Sequence, residues 1–253
     1  MAYVNLIMLN VIKPDWPAPD NIVAFTTTRE GGASQAPYAS LNLGDHVGDD
    51  TEHVASNRER LIAELNLPNT PAWLQQTHST IAVEINDNYQ LTEADASYTR
   101  EPNQVCSVLT ADCLPLLITN RDGTEVAAIH AGWRGLADGV IESCLNKLQS
   151  PMGELMVWLG PAMGPAVFEV QADVYDLFTQ RNDNAEQVFT KLNKTKWLMD
   201  IYKLAQQRLK TQGIKAVYGG EHCTFSDKDK FFSYRRDGVT GRMASLIYIT
   251  DRI

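Results

Sequence analysis

Short apolar runs bounded by turn residues alternate along this chain with stretches whose apolar positions recur at helical spacing. Ile22 to Thr27 is β-branched and is followed by the turn residues of Arg29-Glu30-Gly31-Gly32-Ala33-Ser34, which predicts a strand handing over to a loop at Arg29. Asp50 or Thr51 can cap a helix that Val54, Leu61 and Leu65 continue on one face, with Arg58, Arg60 and Glu64 turned outward, until Leu67-Pro68 ends it. Strands are predicted over Thr80 to Ile85, Val105 to Leu109, Leu114 to Thr119 and Val126 to Ile129. The turn chemistry of Asn120-Arg121-Asp122-Gly123 closes the last two into a hairpin. After His130, the glycines of Gly132-Trp133-Arg134-Gly135 break the strand, and Val140, Ile141, Cys144, Leu145 and Leu148 set up a helix.

Further on, Met156 to Leu159 reads as a strand, Gly160 to Pro165 as a rigid loop, and Val174 to Thr179 and Trp197 to Lys210 as helices. Phe231 to Tyr234 and Met243 to Ile249 return to strand. The opening run, Met1 to Leu9, has no basic segment ahead of it and stops at Lys13-Pro14-Asp15-Trp16-Pro17, so it reads as an edge strand and not as a signal. Strands and helices mix without strict βαβ alternation, which favours an α+β fold. With no repeat and no Pro/Gly/Ser-rich linker, residues 1–253 are expected to form a single domain.

Composition narrows the class of partner. Twenty-two basic against thirty-one acidic residues give a net charge of −9, which argues against broad binding to nucleic acid or an anionic membrane. No stretch has the length of a membrane-spanning helix, and the expected partner is a small molecule, bound by a monomer or small homo-oligomer. Four cysteines, Cys106, Cys113, Cys144 and Cys223, match neither a disulfide framework nor paired CxxC knuckles, which fits a reducing cytoplasmic location.

Three residues far apart in the chain make the candidate metal or catalytic site: His78 in Gln75-Gln76-Thr77-His78, Cys113 in Thr110-Ala111-Asp112-Cys113-Leu114-Pro115, and His130 ahead of the glycine turn. Two imidazoles and a thiolate suit zinc or copper, and three protein ligands leave a coordination position for water or substrate. Spacing alone leaves the alternative open that Cys113, between apolar runs, is a core residue. Asp112, a charge beside that thiol at a strand break, favours a used site. Arg134 in the turn after His130 can form an anion pocket with exposed backbone N–H groups. Arg235, Arg236 and Arg242, near Phe231, Phe232 and Tyr234, can grip a phosphate or a ring or simply line a solvated hairpin, and Arg29 raises the same question.

Taken together, the blocks Thr27-Thr28-Arg29-Glu30-Gly31-Gly32, Ser40-Leu41-Asn42-Leu43-Gly44, His46-Val47-Gly48-Asp49, Gln75 to His78, Ala94-Asp95-Ala96, Thr110 to Pro115, His130 to Gly135 and Phe232 to Arg236 resemble the YfiH or laccase-domain family. Its members are also called purine nucleoside phosphorylases or polyphenol oxidoreductases. The resemblance implies a pair of mixed β-sheets packed together with helices outside, similar to a class of cysteine-histidine deamidating toxins. It also implies zinc ligands at His78, Cys113 and His130. The implied activity is phosphorolysis of adenosine, inosine and methylthioadenosine with adenosine deamination at the same centre. Arg29, Arg134 and Arg235 are candidate contacts for substrate or phosphate, and Asp112, as the neighbour of a ligand, is the candidate general acid/base. Copper-dependent polyphenol oxidation is an alternative, although five histidines without an HxH pair are too few for a multicopper cluster. A Cys113–His amide hydrolase acting on peptidoglycan precursors is another, and a non-enzymatic interaction module ranks last.

Overall fold

The computed structural model describes residues 9–181 and 184–251. In chain order the elements begin with β1 (Val11–Ile12), β2 (Ile22–Thr27), α1 (Thr51–Glu64), β3 (Ala82–Glu84), β4 (Ala96–Thr99), β5 (Cys106–Thr110), β6 (Leu114–Asn120) and β7 (Val126–Ala131). They continue through α2 (Trp133–Asp138), α3 (Val140–Leu145), β8 (Leu155–Leu159), β9 (Glu169–Gln171), α4 (Ala172–Thr179), β10 (Phe189–Lys191) and β11 (Lys196–Met199). The chain then forms α5 (Ile201–Thr211), β12 (Ala216–Gly219), α6 (Tyr234–Asp237) and β13 (Met243–Ile249). An antiparallel sheet of order β1-β2-β13-β5 packs on a mixed sheet of order β12-β8-β6-β7-β4-β3, and a small antiparallel sheet, β10-β11-β9, stands beside them.

Period-two alternation explains why these strands are buried on both faces. Along β6, Leu114, Leu116 and Ile118 join the core under α2, α3 and α5, while Leu117 faces the other sheet. Along β7, Ala127, Ile129 and Ala131 face the helices, whereas Val126 and Ala128 face the other sheet, with His130 next in that same alternating set. The inter-sheet layer is completed by Trp158 of β8 and by Ala24, Cys106, Val108, Ile247 and Ile249 from the four-stranded sheet. On that sheet's far side, Leu246 and Tyr248 pack with Leu61 of α1. The result is the expected pair of packed sheets between outer helices.

Local chemistry sets the element ends. Asp50 caps α1 by accepting from the backbone N–H of Glu52 and His53. The helix expected from Val140 is present as α3, but the expected turn at Gly132-Trp133-Arg134-Gly135 instead opens a second helix, α2, which is set off from α3 by Gly139 with a left-handed φ of 99°. Trp197 corrects the expected helix from Trp197 to Lys210: residues 196–199 pair with β9 and β10 as a strand, and Asp200 then caps α5 by accepting from Lys203 N. The expected strand over Phe231 to Tyr234 is also replaced. Phe231 and Phe232 are fully buried loop residues, and the Ser233 hydroxyl accepts from Arg236 N to start α6. Of the opening edge strand, Met1 to Met8 lie outside the described residues.

Leu117 is wholly buried in the layer between the sheets. Its truncation to alanine should lower unfolding free energy by about 2–5 kcal/mol, through lost transfer energy and an unfilled cavity. Denaturant titration of the two proteins checks this, and a change below about 1 kcal/mol would contradict the packing described.

Candidate metal and active site

The site is organised around Asp95, which is completely buried at the start of β4. One carboxylate oxygen, Oδ1, accepts from His78 N at 3.1 Å and lies 2.7 Å from His130 Nδ1. The other, Oδ2, accepts from Thr77 N at 3.2 Å, from Ser79 N, and from the Ser79 hydroxyl at 2.8 Å. Burial opposes ionisation of Asp95, but the hydrogen bond and charge of His130 and the bonds from Ser79 outweigh it, so its pKa falls below the ordinary carboxylate value. The loop from Thr77 to Ser79 wraps this charge, and His78 adopts a φ of 62° in doing so. A carboxylate only accepts, so His130 keeps a proton on Nδ1, and Nε2 is the ring nitrogen that would bind a metal after giving up its own proton.

Cys113 arrives from the other direction. Ala111, Asp112 and Cys113 carry the chain from β5 in the smaller sheet to β6 in the larger one, and Cys113 stands one step beyond the Leu114–Ala131 pair of β6 and β7. Its Sγ lies 3.7 Å from His78 Nε2, and the ligand atoms of His78, Cys113 and His130 all fall within 4.8 Å of one another. A tetrahedral zinc with ordinary bond lengths holds neighbouring sulfur and nitrogen donors about 3.5 Å apart, so this set fits such an ion after a small contraction. The Asp95–His130 pair supplies the carboxylate behind a ligand histidine that fixes its tautomer. Burial raises the Cys113 thiol, but attraction to His130 and hydrogen bonds from both histidines bring it down to about 6, so a thiolate is available.

Gly132 explains why the turn after His130 needs glycine. Its φ of −63° suits any residue. A Cβ built there would stand 2.4 Å from His78 Cδ2 and 3.1 Å from Cys113 Sγ, so a side chain would occupy the space of the ligand imidazole.

These ligands line one side of a cavity of about 510 Å³. Of the other residues singled out by sequence, Asp112, Arg134 and Arg235 line it too. Arg134 stacks on Trp133 at 4.3 Å, and Arg235 lies 5.7 Å over Phe168 while donating to Glu169 O. Asp112, with φ of 89°, accepts from the Thr224 hydroxyl on one oxygen and from Arg235 N on the other, at 2.6 and 2.7 Å. Arg29 is a correction: it is not part of this cavity. Its guanidinium donates to Ala39 O and Lys228 O and sits 4.7 Å over Phe232, so it serves as a brace between loops. Sequence reasoning gave no role to Asp95, or to Gln76, whose amide bonds the backbone N–H and C=O of Leu109 and ties the His78 loop to β5. The signal for Asp95 was its place in a matched Ala94-Asp95-Ala96 block. Arg242 and His46 also face the cavity.

The chain is similar to known proteins along nearly its whole length. Residues 23–250 match the family model described as multi-copper polyphenol oxidoreductase laccase. A Haemophilus influenzae protein named purine nucleoside phosphorylase is 52% identical over 242 residues, covering 95% of this chain and 99% of its own. The Escherichia coli protein named purine nucleoside phosphorylase YfiH is 47% identical over 243 residues, covering 96% of this chain and all of its own. A crystal structure of a Neisseria meningitidis protein superposes with a TM-score of 0.92 at 48% identity, covering 95% of this chain and 99% of the other.

Replacing Gly132 with alanine should displace His78 while leaving the fold in place. The expected result is zinc affinity weakened by about 10–100-fold, the range seen when ligand positioning is disturbed, with a circular dichroism spectrum like that of the wild type. Competition with a chromophoric chelator measures it, and wild-type affinity in the variant would refute the steric argument.

Proposed function

The chain belongs to the multi-copper polyphenol oxidoreductase laccase family, and we propose that it acts as a zinc-dependent purine nucleoside phosphorylase on adenosine, inosine and methylthioadenosine, with adenosine deamination as a second reaction of the same site. The observation that carries this reading is the His78, Cys113 and His130 donor set opening into a cavity walled by arginines and aromatic rings. Bound zinc would supply Lewis acidity and water activation near neutral pH. In phosphorolysis an oxygen of phosphate bonds to the ribose C1′ as the bond from C1′ to the purine nitrogen breaks; its electron pair leaves with the base, which gains a proton. Trp133, Phe168 and Tyr234 offer faces and edges to a purine. Arg134 and Arg235 favour the anionic co-substrate.

The name of the family suggests copper, but the distribution of imidazoles favours a single-ion site. Among the described residues, His78, Cys113 and His130 form the only group of three or more potential ligands of this kind. His222 packs its ring against Phe231, and His53 lies on α1. These residues do not provide the histidines of a multicopper cluster. The proposed cellular setting is cytoplasmic.

One further observation favours a second reading. The Cys113 thiol, drawn down to about 6 beside two imidazoles, is also the geometry of a cysteine nucleophile for amide hydrolysis. Product analysis separates the two. Zinc-loaded protein should release adenine from adenosine only when phosphate is present and inosine without it, and chelation should stop both. Amide cleavage that persists after chelation but is lost on alkylating Cys113 would replace the proposal with the hydrolase reading.

Asp112 is better placed to orient than to exchange a proton, because both of its oxygens are engaged by Thr224 and Arg235. Asp112→Asn should therefore reduce kcat by no more than about a hundredfold, the usual worth of a hydrogen bond to a charged group, and leave the shape of the pH–rate profile intact. Loss of one limb of that profile would restore its assignment as general acid/base.

A further inference from the structure

Arg242 differs from the other arginines near the site in how its guanidinium is used. Its backbone N–H donates to Asn42 Oδ1 at 2.9 Å, and Nη1 donates to Thr240 O and Gly241 O, both at 3.0 Å. Its stem runs past Gly44, where an added Cβ would meet Arg242 Cγ at 2.8 Å. The side chain is thus held at both ends. Among the described residues neither Nε–H nor the Nη2 group has an acceptor, and no carboxylate lies within ion-pair distance. Nearby Asp112 directs its oxygens to Thr224 and Arg235 N instead. A partly buried guanidinium with unused donors is costly unless a ligand supplies the acceptors.

Those donors belong to a residue lining the cavity that holds the His78, Cys113 and His130 ligands, and His46 lines it beside Arg242. His46 is near enough that, after burial itself, the charge of Arg242 is the main influence keeping its imidazole neutral. His46 Nδ1 lies 3.4 Å from the Asp45 carboxylate, which takes the one N–H of a neutral imidazole, so His46 borders the subsite and Arg242 supplies its donors. Arg134 makes a poorer anchor, since it is exposed and steadied by its stacking on Trp133.

We propose that Arg242, with His46 beside it, forms the subsite for a tetrahedral oxyanion co-substrate, inorganic phosphate, in the same cavity as the metal ligands. The proposal rests on the phosphorolysis reading for the word co-substrate; the binding itself does not. A planar fork with Nε–H and Nη2–H free matches two oxygens of one phosphate. Arg134 and Arg235, which line the same cavity, add to the positive field there without supplying the fork.

The test is calorimetric titration of zinc-loaded, full-length protein with inorganic phosphate alone, followed by KM for phosphate and for inosine. Arg242→Gln should weaken phosphate binding about tenfold or more, the usual worth of charge-assisted hydrogen bonds. It should raise KM for phosphate far more than KM for inosine. Arg242→Lys keeps the stem against Gly44 and one positive charge, so it should fold as the wild type does and lose less binding than the glutamine variant. Arg121→Gln, an equal change of charge at an exposed position paired with Glu154, should bind phosphate as the wild type does. Phosphate binding absent from the wild type, or within twofold of it in both Arg242 variants, overturns the subsite. Arg242-dependent phosphate binding without cleavage of any purine nucleoside would leave the subsite standing and remove the phosphorylase reading instead.

Discussion

A single buried carboxylate holds this site together. Asp95 is fully enclosed and would be strongly disfavoured as an anion in apolar surroundings, yet five donors converge on it, three of them backbone N–H groups of Thr77, His78 and Ser79. The compensation of that charge is therefore the same act as the folding of the His78 loop. Because His130 contributes the fifth donor, the group that shapes one ligand's backbone also fixes the other ligand's tautomer. Removing the carboxylate would orphan backbone donors as well as loosen an imidazole, so metal affinity and local order are coupled through one residue.

The second constraint is the passage between sheets. β5 belongs to the smaller sheet and β6 to the larger, and the three residues joining them include Cys113. The β6–β7 register then sets Cys113 across from Gly132, the position where no side chain fits. Alternation along β7 sends His130 to the face between the sheets, at the end where that layer opens into the cavity. Three ligands from distant parts of the chain meet because a crossover, a hairpin register and a carboxylate-wrapped loop share one corner. The cavity lies on the other side, so an ion held there would keep an open coordination face, unlike one in a closed structural cage.

Much of this was legible in the residues. Leu114 to Thr119 and Val126 to Ile129 are continuous apolar runs with Asn120 to Gly123 between them, and such a pattern leaves little besides a buried hairpin. Trp197 was misread because Trp197, Ile201, Leu204 and Ala205 also satisfy helical spacing. The strand at 196–199 is decided by pairing with Val170, a contact that sequence periodicity does not encode. Phe231 and Phe232 looked like a strand for their hydrophobicity, whereas the Ser233 cap turns the chain into α6. The three ligands stood out by residue type and by family resemblance. Asp95 did not, since its importance lies in accepting from the backbone of residues far along the chain.

The arginines show why charge in a sequence is a poor guide to function until its donors are followed. Arg29, Arg58 and Arg236 all carry the same charge as Arg242. The first donates to Ala39 O and Lys228 O, the second to Leu43 O, and the third to Thr224 O, Phe225 O and Phe231 O. These guanidiniums are spent on carbonyls that no strand or helix satisfies, and their loss would be felt first in loop structure. Arg242 is anchored by one nitrogen and keeps the rest of its fork free at a cavity wall. In a chain of net charge −9, long-range attraction cannot draw an anion to this protein in general; the field that matters is the local one of a few partly desolvated arginines beside a metal-ligand set. An anion is selected there by geometry, because a fork held at both ends loses little freedom on binding, and a tetrahedral oxyanion supplies acceptors at the spacing the fork presents.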